Sequence, residues 1–419
     1  MSETRFAERV KSHHGSGGDS DKFVRQPKKV KEVLSSGECP TSDNIIYVHV
    51  PFCSKICSFC NMRRSKGIPS DDYADMVSDH IEKLTKYDYV KNAQIDSVYF
   101  GGGTPTTLAP RAIERILTAI NKNFRLKDTV EFSFETSLTD LDDEKLKMMR
   151  SLGVNRLSIG VQTFSNAGRK LLNRLGDREF AIEKLKRFRE LGIENVNIDI
   201  IYNYPYEDVE TLRADLEQFW DLDLAGFSYY SLMIQKNSPI IKVAESENLT
   251  PEEKKKRDKR FFREVMDFKH EKGMEQMEIT KVVRPNRDRY KYIRHGLSGN
   301  QTFPLGAGAG GAFGGAAFMN PLDLKDYSSM LEKLDEVRGM TFSADYHRLK
   351  KVTSQLQLTK FDLDLVEEMF RETAEEFMDE MTSHGFVERK GNQYDFTDEG
   401  VFWGNSMSAE LWNKLSVKV

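Results

Sequence analysis

The stretch Ile45-Ile46-Tyr47-Val48-His49-Val50-Pro51-Phe52-Cys53-Ser54-Lys55-Ile56-Cys57-Ser58-Phe59-Cys60 decides the fold. Its first six residues form an apolar, β-rich run. Its second half carries three cysteines spaced C-x3-C-x2-C. Thiolates are soft ligands that suit iron–sulfur clusters. Three of them on one tight loop can hold three irons of a [4Fe–4S] cube. The fourth iron is then open to a substrate or cofactor, which a four-cysteine electron-transfer cluster does not allow. Zinc is the competing ion, but it takes four ligands, commonly as paired C-x2-C units. Outside the loop only Cys39 remains, and His49 falls on the preceding strand. A disulfide fits worse. Four cysteines in 419 residues without a signal peptide read as a reduced, cytoplasmic protein.

Outward from this stretch a β/α alternation sets in. Strands are predicted at 45–50, 97–100, 130–135, 156–161, 196–201 and 227–232. Helical patterns fill the intervals at 71–86, 110–123, 142–152, 179–191 and 209–220, and two of them stop at Gly153 and Gly192. Strands separated by helices predict a parallel sheet, here an α/β fold curled into a partial (β/α)6 barrel. Its ligands belong at the carboxyl ends of the strands. The barrel spans 44–245, and an extension with a glycine-rich stretch at 306–315 spans 246–335. A charged helix is predicted at 251–272. A C-terminal α+β domain covers 336–419, with a helix at 361–384 and a hairpin at 385–397 turning at Lys390-Gly391-Asn392. Helix and hairpin suggest a winged helix, but Glu368, Glu375, Glu376, Asp379 and Glu380 argue against a phosphate backbone. Residues 1–43 are polar. Within them, 12–20 reads as a mobile tract, and His13-His14 as part of a solvated tail.

Composition bounds the function. The chain carries a net charge of −4 with acids and bases interspersed, which offers no nucleic-acid groove. No apolar run approaches the roughly 20 residues of a membrane span.

Two further features carry chemistry. Phe100-Gly101-Gly102-Gly103-Thr104-Pro105-Thr106 ends a strand, and its glycines let backbone groups approach a zwitterionic ligand. Glu135, Gln162, Arg174 and Asp199 come from successive β/α units. A carboxylate can hold ribose hydroxyls or an ammonium group, and an arginine can clamp a carboxylate.

These residues resemble a known family. Tyr47-x-His49-x-Pro51-Phe52-Cys53, Cys57-Ser58-Phe59-Cys60, Gly101-Gly102-Gly103-Thr104-Pro105, Gly160-Val161-Gln162, Asn173-Arg174 and Asp199-Ile200-Ile201-Tyr202 are similar to the coproporphyrinogen-oxidase-like (HemN-type) branch of the radical S-adenosylmethionine (SAM) enzymes. Leu305-Gly306-Ala307-Gly308-Ala309 and Thr397-Asp398-Glu399-Gly400-Val401-Phe402-Trp403 continue the likeness, which covers about residues 45 to 410. The resemblance implies that Cys53, Cys57 and Cys60 bind a [4Fe–4S] cluster whose open iron chelates SAM. It also implies two SAM molecules in one site. Tyr47, Gly102 and Glu135 then match contacts to the cluster-bound SAM, with Ala312 beside it. Phe59, Gly103, Thr104, Gln162, Arg174, Asp199 and Ser231 match contacts to the second.

Within the branch, the decarboxylating oxidases carry another cysteine just after the motif, where this chain has Asn61-Met62. The haem-chaperone members resemble it in length and in Met277-Glu278-Ile279-Thr280. Their His-Asn pair is not intact here, because Pro285-Asn286-Arg287-Asp288-Arg289-Tyr290 intervenes. The glycine loop around Gly308 and Gly310 resembles the anaerobic haem-degrading ChuW/HutW/HmuW type. That likeness implies a tetrapyrrole substrate, a methyltransferase-like ring opening and an electron donor such as a flavodoxin, ferredoxin or flavin reductase. Arg284, Arg287, Arg289 and Arg294 are then candidates for haem propionates, or else a solvated face. His295 is a candidate axial ligand, or else a hydrogen-bonded structural residue. Methyl transfer or cyclopropanation of another small molecule, porphyrinogen decarboxylation and haem chaperoning are the alternatives.

Overall fold

The computed structural model describes residues 5–6, 9–10, 20–35, 37–60, 64–66, 71–234 and 238–419, with 65 and 66 as backbone only. The His13-His14 pair and the Asn61-Met62 position lie outside the described residues. All six expected strands form: Asn44–Val50 (β1), Gln94–Gly102 (β2), Arg125–Thr136 (β3), Arg156–Gln162 (β4), Asn195–Tyr202 (β5) and Gly226–Ser231 (β6). Each pairs in parallel with the next. In β1, Ile45, Ile46, Val48 and Val50 are all buried. Helices cover one side of a parallel sheet and the barrel interior the other, so its strands read as continuous apolar runs.

The intervening helices begin and end where local chemistry requires. Asp142, Asp177 and Asp208 cap three of them by accepting from the amides of Lys145, Phe180 and Thr211. Pro110 opens Pro110–Asn123, which buries Ala112, Ile113, Ile116, Leu117 and Ile120 on one face. Gly153 and Gly192 follow two helices in the left-handed region, at φ +102° and +88°.

Three strands beyond residue 245 enlarge the sheet. Glu275–Glu278 (β7) and Lys281–Val283 (β8) form a hairpin antiparallel to β6, and Thr302–Leu305 (β9) runs parallel to β1. The order is β7-β8-β6-β5-β4-β3-β2-β1-β9. The chain between β8 and β9 returns beneath the amino ends of the strands. Arg156 at the start of β4 pairs with both oxygens of Asp288 at 3.0 Å. Lys281 Nζ lies 3.6 Å from the same carboxylate and donates to Asn197. Arg156, Lys281 and Asp288 are all buried.

One expectation needs correction, and two further segments take on structure that their composition did not assign. The N-terminal segment is polar, but parts of it are built in. Val24–Lys29 pairs with Arg338–Phe342 in a four-stranded sheet, and Val30, Val33 and Leu34 are buried. Phe6 stacks on Trp403, and Arg9 pairs with Asp258 and Tyr202. The glycine-rich stretch is partly strand, since Gly310–Phe313 and Ala316–Met319 form a hairpin in that same sheet. The helix expected from 361 starts later. Lys360–Asp362 is a strand beside the wing hairpin Val387–Lys390/Gln393–Phe396, and the helix is Glu368–Ser383. Val366 and Glu367 are extended, which breaks the helical run.

Asp288→Ala would leave Arg156 and Lys281 buried without their main counter-charge. Urea unfolding should register a loss of about 3–5 kcal/mol, the cost of breaking a buried pair from one side.

Candidate active site

The cysteine loop is fixed by the ends of β1 and β2. The amides of Gly103 and Thr104 donate to the carbonyls of Val50 and Phe52, at 2.8 and 2.7 Å. A side chain on Gly103 would run into the Phe52 carbonyl and reach 3.0 Å from Cys53 Sγ. Gly102, at φ +116°, lies against the His49 ring. On the other flank, Asn173 donates to the Ile56 carbonyl at 2.8 Å and Ser58 Oγ to that of Leu171 at 2.9 Å. Two side chains aim at the sulfurs themselves. Arg174 Nη1 donates to Cys57 Sγ at 2.9 Å, and Thr104 Oγ1 to Cys53 Sγ at 3.7 Å. Burial pushes the Cys53 thiol up, and the Thr104 hydroxyl opposes that. A cation bound among the three sulfurs would reverse the balance.

The loop opens into a cavity of about 500 Å³ at the carboxyl ends of the strands. Tyr47, Cys53, Cys57, Phe59, Cys60, Gly102, Gly103, Thr104, Glu135, Gln162, Arg174, Asp199 and Ser231 all line it. Glu135 accepts from Tyr99 Oη at 2.8 Å and from the Gly102 amide at 3.2 Å. Burial nevertheless raises its carboxyl to about 7, against the two hydrogen bonds and with the help of the Asp199 charge. Burial raises Asp199 as well, opposed by Lys281 and a hydrogen bond from Ser228. Gln162 holds φ +73°, unusual for a residue with a side chain. Its Oε1 is buried without a hydrogen-bond partner, as is Arg174 Nε.

This donor set fits the cofactors that the resemblance implies. The three thiols and the hydroxyl and guanidinium aimed at them suit a cluster with an open iron. Two carboxylates short of positive charge suit a ligand with an ammonium and a sulfonium. The unpartnered Gln162 oxygen suits a ligand donor.

Other expected residues stand elsewhere. Gly308 packs on the His49 ring from behind, and Gly306 on the His49 carbonyl and the Tyr73 hydroxyl. Ala307 and Ala309 are fully buried. The glycine loop therefore braces β1. Gly310 and Ala312 lie on the separate hairpin, and neither lines the cavity. His295 is held by Asp96 at 3.0 Å, beneath the amino end of β2, and lies outside the cavity. Asp96 also takes Lys291 Nζ at 2.6 Å. Arg287 binds the Asp223 carbonyl, Arg284 stacks 3.5 Å over Trp220, and Arg289 and Arg294 are exposed. Cys39 sits by Thr41, away from the loop.

Sequence reasoning missed the aromatic wall. Tyr99 and Tyr292 stack at 4.2 Å, and Tyr47 lies 5.8 Å from Tyr292. Tyr290, Tyr292 and Tyr230 line the cavity too. Tyr290 and Tyr292 arrive on the returning segment, through a left-handed turn at Tyr290. Four tyrosines in the sequence between 287 and 292 and at 47 and 99 were visible, but nothing in their spacing joins them.

Glu135 supplies a pH test. Its folded-state value is raised, from 4.5 to about 7. The folded protein therefore keeps a proton that the unfolded chain releases. This contribution is full below about pH 4.5 and is lost as pH rises through about 7. Glu135→Gln cannot lose that proton. Without cofactor it should gain on the wild type across this window, reaching about 3 kcal/mol above pH 7 in urea unfolding at stepped pH.

Comparisons with known proteins agree with this geometry. The model of the radical SAM superfamily matches residues 47–219. The chain is 31% identical to a heme chaperone HemW of Lactococcus lactis over 280 residues, 66% of this chain and 72% of that protein. It is 29% identical to an anaerobilin synthase of Escherichia coli O157:H7 over 302 residues, 71% of this chain and 67% of that one. The solved coproporphyrinogen III oxidase HemN of Escherichia coli superposes with a TM-score of 0.76 at 22% identity, over 94% of each chain, which shows the shared fold. The chain belongs to the radical SAM superfamily, in its HemN-like branch, whose cofactors are a [4Fe–4S] cluster and SAM.

Proposed function

We propose that this protein degrades haem without oxygen, opening the porphyrin to a methylated linear tetrapyrrole and releasing iron. The observation that carries this reading is the convergence of Glu135, Gln162, Arg174, Asp199 and Ser231 on the one cavity that holds the cysteine loop. By the resemblance, that set serves two SAM molecules, the second as carbon donor. The relative named anaerobilin synthase supports the same reading. A [4Fe–4S] cluster held by Cys53, Cys57 and Cys60 would supply one-electron reductive cleavage of SAM. The chain's residues do the positioning. Arg174 holds the Cys57 sulfur and the Gly160 carbonyl together, so the loop and β4 cannot drift apart. Glu135 and Asp199 give the SAM cations their counter-charges. The Tyr99–Tyr292 stack closes the floor against water, which a radical reaction requires. A flavodoxin, a ferredoxin or a flavin reductase would supply the electron.

A haem chaperone is the second reading, because the Lactococcus lactis relative and a 28%-identical one of Bacillus subtilis carry that name. The two readings separate in one assay. Reconstituted, reduced protein is incubated anaerobically with haem and SAM labelled in its methyl group. Ring opening predicts loss of the Soret band and label in an open-chain tetrapyrrole. A shifted, persistent Soret band with no labelled product would instead assign the chaperone role.

A further inference from the structure

A second groove, of about 330 Å³, lies on the outer side of the cysteine loop. Lys55, Arg169, Lys170 and Arg174 line it, and Asp177 is its one acid. Asp177 is engaged in capping the helix Arg178–Glu190. Arg169 is buried under the groove and spends its hydrogen bonds on the carbonyls of Val161, Thr163, Leu175 and Gly176. Among the described residues no carboxylate makes an ion pair with it, and Asp177 and Asp215 act on it only through space. Lys55 and Lys170 are exposed, and among the described residues neither is held in an ion pair. The cluster of cations stands out on a chain whose net charge is −4.

Its position matters more than its charge. Lys55, Arg169, Asn173 and Arg174 belong to both spaces, so the groove continues the rim of the central cavity outward. From the groove, the Arg174 guanidinium reaches a sulfur of the loop directly, at Cys57 Sγ. On the cavity side, cofactor and substrate would stand between the sulfurs and the outside. The groove therefore offers an external electron a route to the cysteine loop that ends on Arg174.

We propose that this groove is the docking surface for a small acidic one-electron carrier protein, with Lys55 and Lys170 as its steering charges. The inference deepens the proposed function at its electron supply, and it holds whatever the methyl acceptor is. On docking, the carrier loses one electron and the cluster gains it; no proton or group moves. Charges at the rim of such an interface set the association rate and its salt dependence.

The test uses the full-length, cluster-reconstituted protein, a flavodoxin and a [2Fe–2S] ferredoxin as probes, and the variant Lys170→Glu, which leaves the cysteine loop untouched. Binding is followed by calorimetry at stepped salt, and SAM cleavage is driven either by the carrier or by dithionite. The variant should bind the carriers at least about tenfold more weakly at low salt, with a flatter salt dependence, the scale expected of steering charges. Cleavage driven by dithionite should be unchanged in Lys170→Glu, whose side chain lies off the cysteine loop and outside the central cavity. Equal carrier affinity in variant and wild type would overturn the proposal. So would a variant that loses haem affinity instead, which would assign Lys170 to the propionates. If carrier docking behaves as expected while haem gives no labelled product, the haem reading fails and this one stands.

Discussion

Two backbone hydrogen bonds, from Gly103 to Val50 and from Thr104 to Phe52, tie the end of β2 to the exit of β1. Everything catalytic depends on that seam. The loop of 53–60 has almost no structure of its own, so its three sulfurs stand where the two strand ends and the 171–174 segment place them. The seam tolerates no side chain at Gly103. It also sets the Gly102 amide against Glu135, which carries the constraint across to β3. A loop without intrinsic stability thus acquires the rigidity of a parallel sheet.

Much of this was legible in the sequence, for a physical reason. Parallel strands buried on both faces and helices with one apolar face leave strong periodic signals, so all six strands and the five longer helices between them could be located. The thiol spacing and the polar residues at strand ends led to a single cavity. The failures share a cause as well. Tyr290 and Tyr292 enter the cavity from a segment held by Asp288, a buried carboxylate whose main partner, Arg156, lies 132 residues away. No local pattern encodes such a pairing. His295 and the glycine loop misled in the opposite way. Their residue types suit a tetrapyrrole, but Asp96 claims the histidine and the His49 strand claims the glycines. Chemistry readable from a residue's identity is decided by the neighbours it meets.

The cavity itself is electrostatically unfinished. Glu135 and Asp199 are both raised by burial, and Gln162 and Arg174 each keep a buried atom without a partner. Polar groups in this condition are costly in an interior unless a ligand completes them. The folding energy lost here is offset by the rest of the barrel and recovered on cofactor binding. The buried Arg156–Asp288–Lys281 cluster beneath differs, since each of its charges is already answered.

The returning segment and β9 also set a schedule for biosynthesis. The cysteines leave the ribosome tens of seconds before Tyr290 and β9 at ordinary elongation rates, on the order of 5–20 residues per second. Until then β1 is an edge strand, with Thr302–Leu305 missing from its side, and the cavity lacks its floor. Contacts such as Arg5 with Glu380, 375 residues apart, must wait longer still. A nascent chain therefore presents its thiols to oxidants and stray metals before it can shelter them. Iron–sulfur assembly on this protein is accordingly a task for the completed chain.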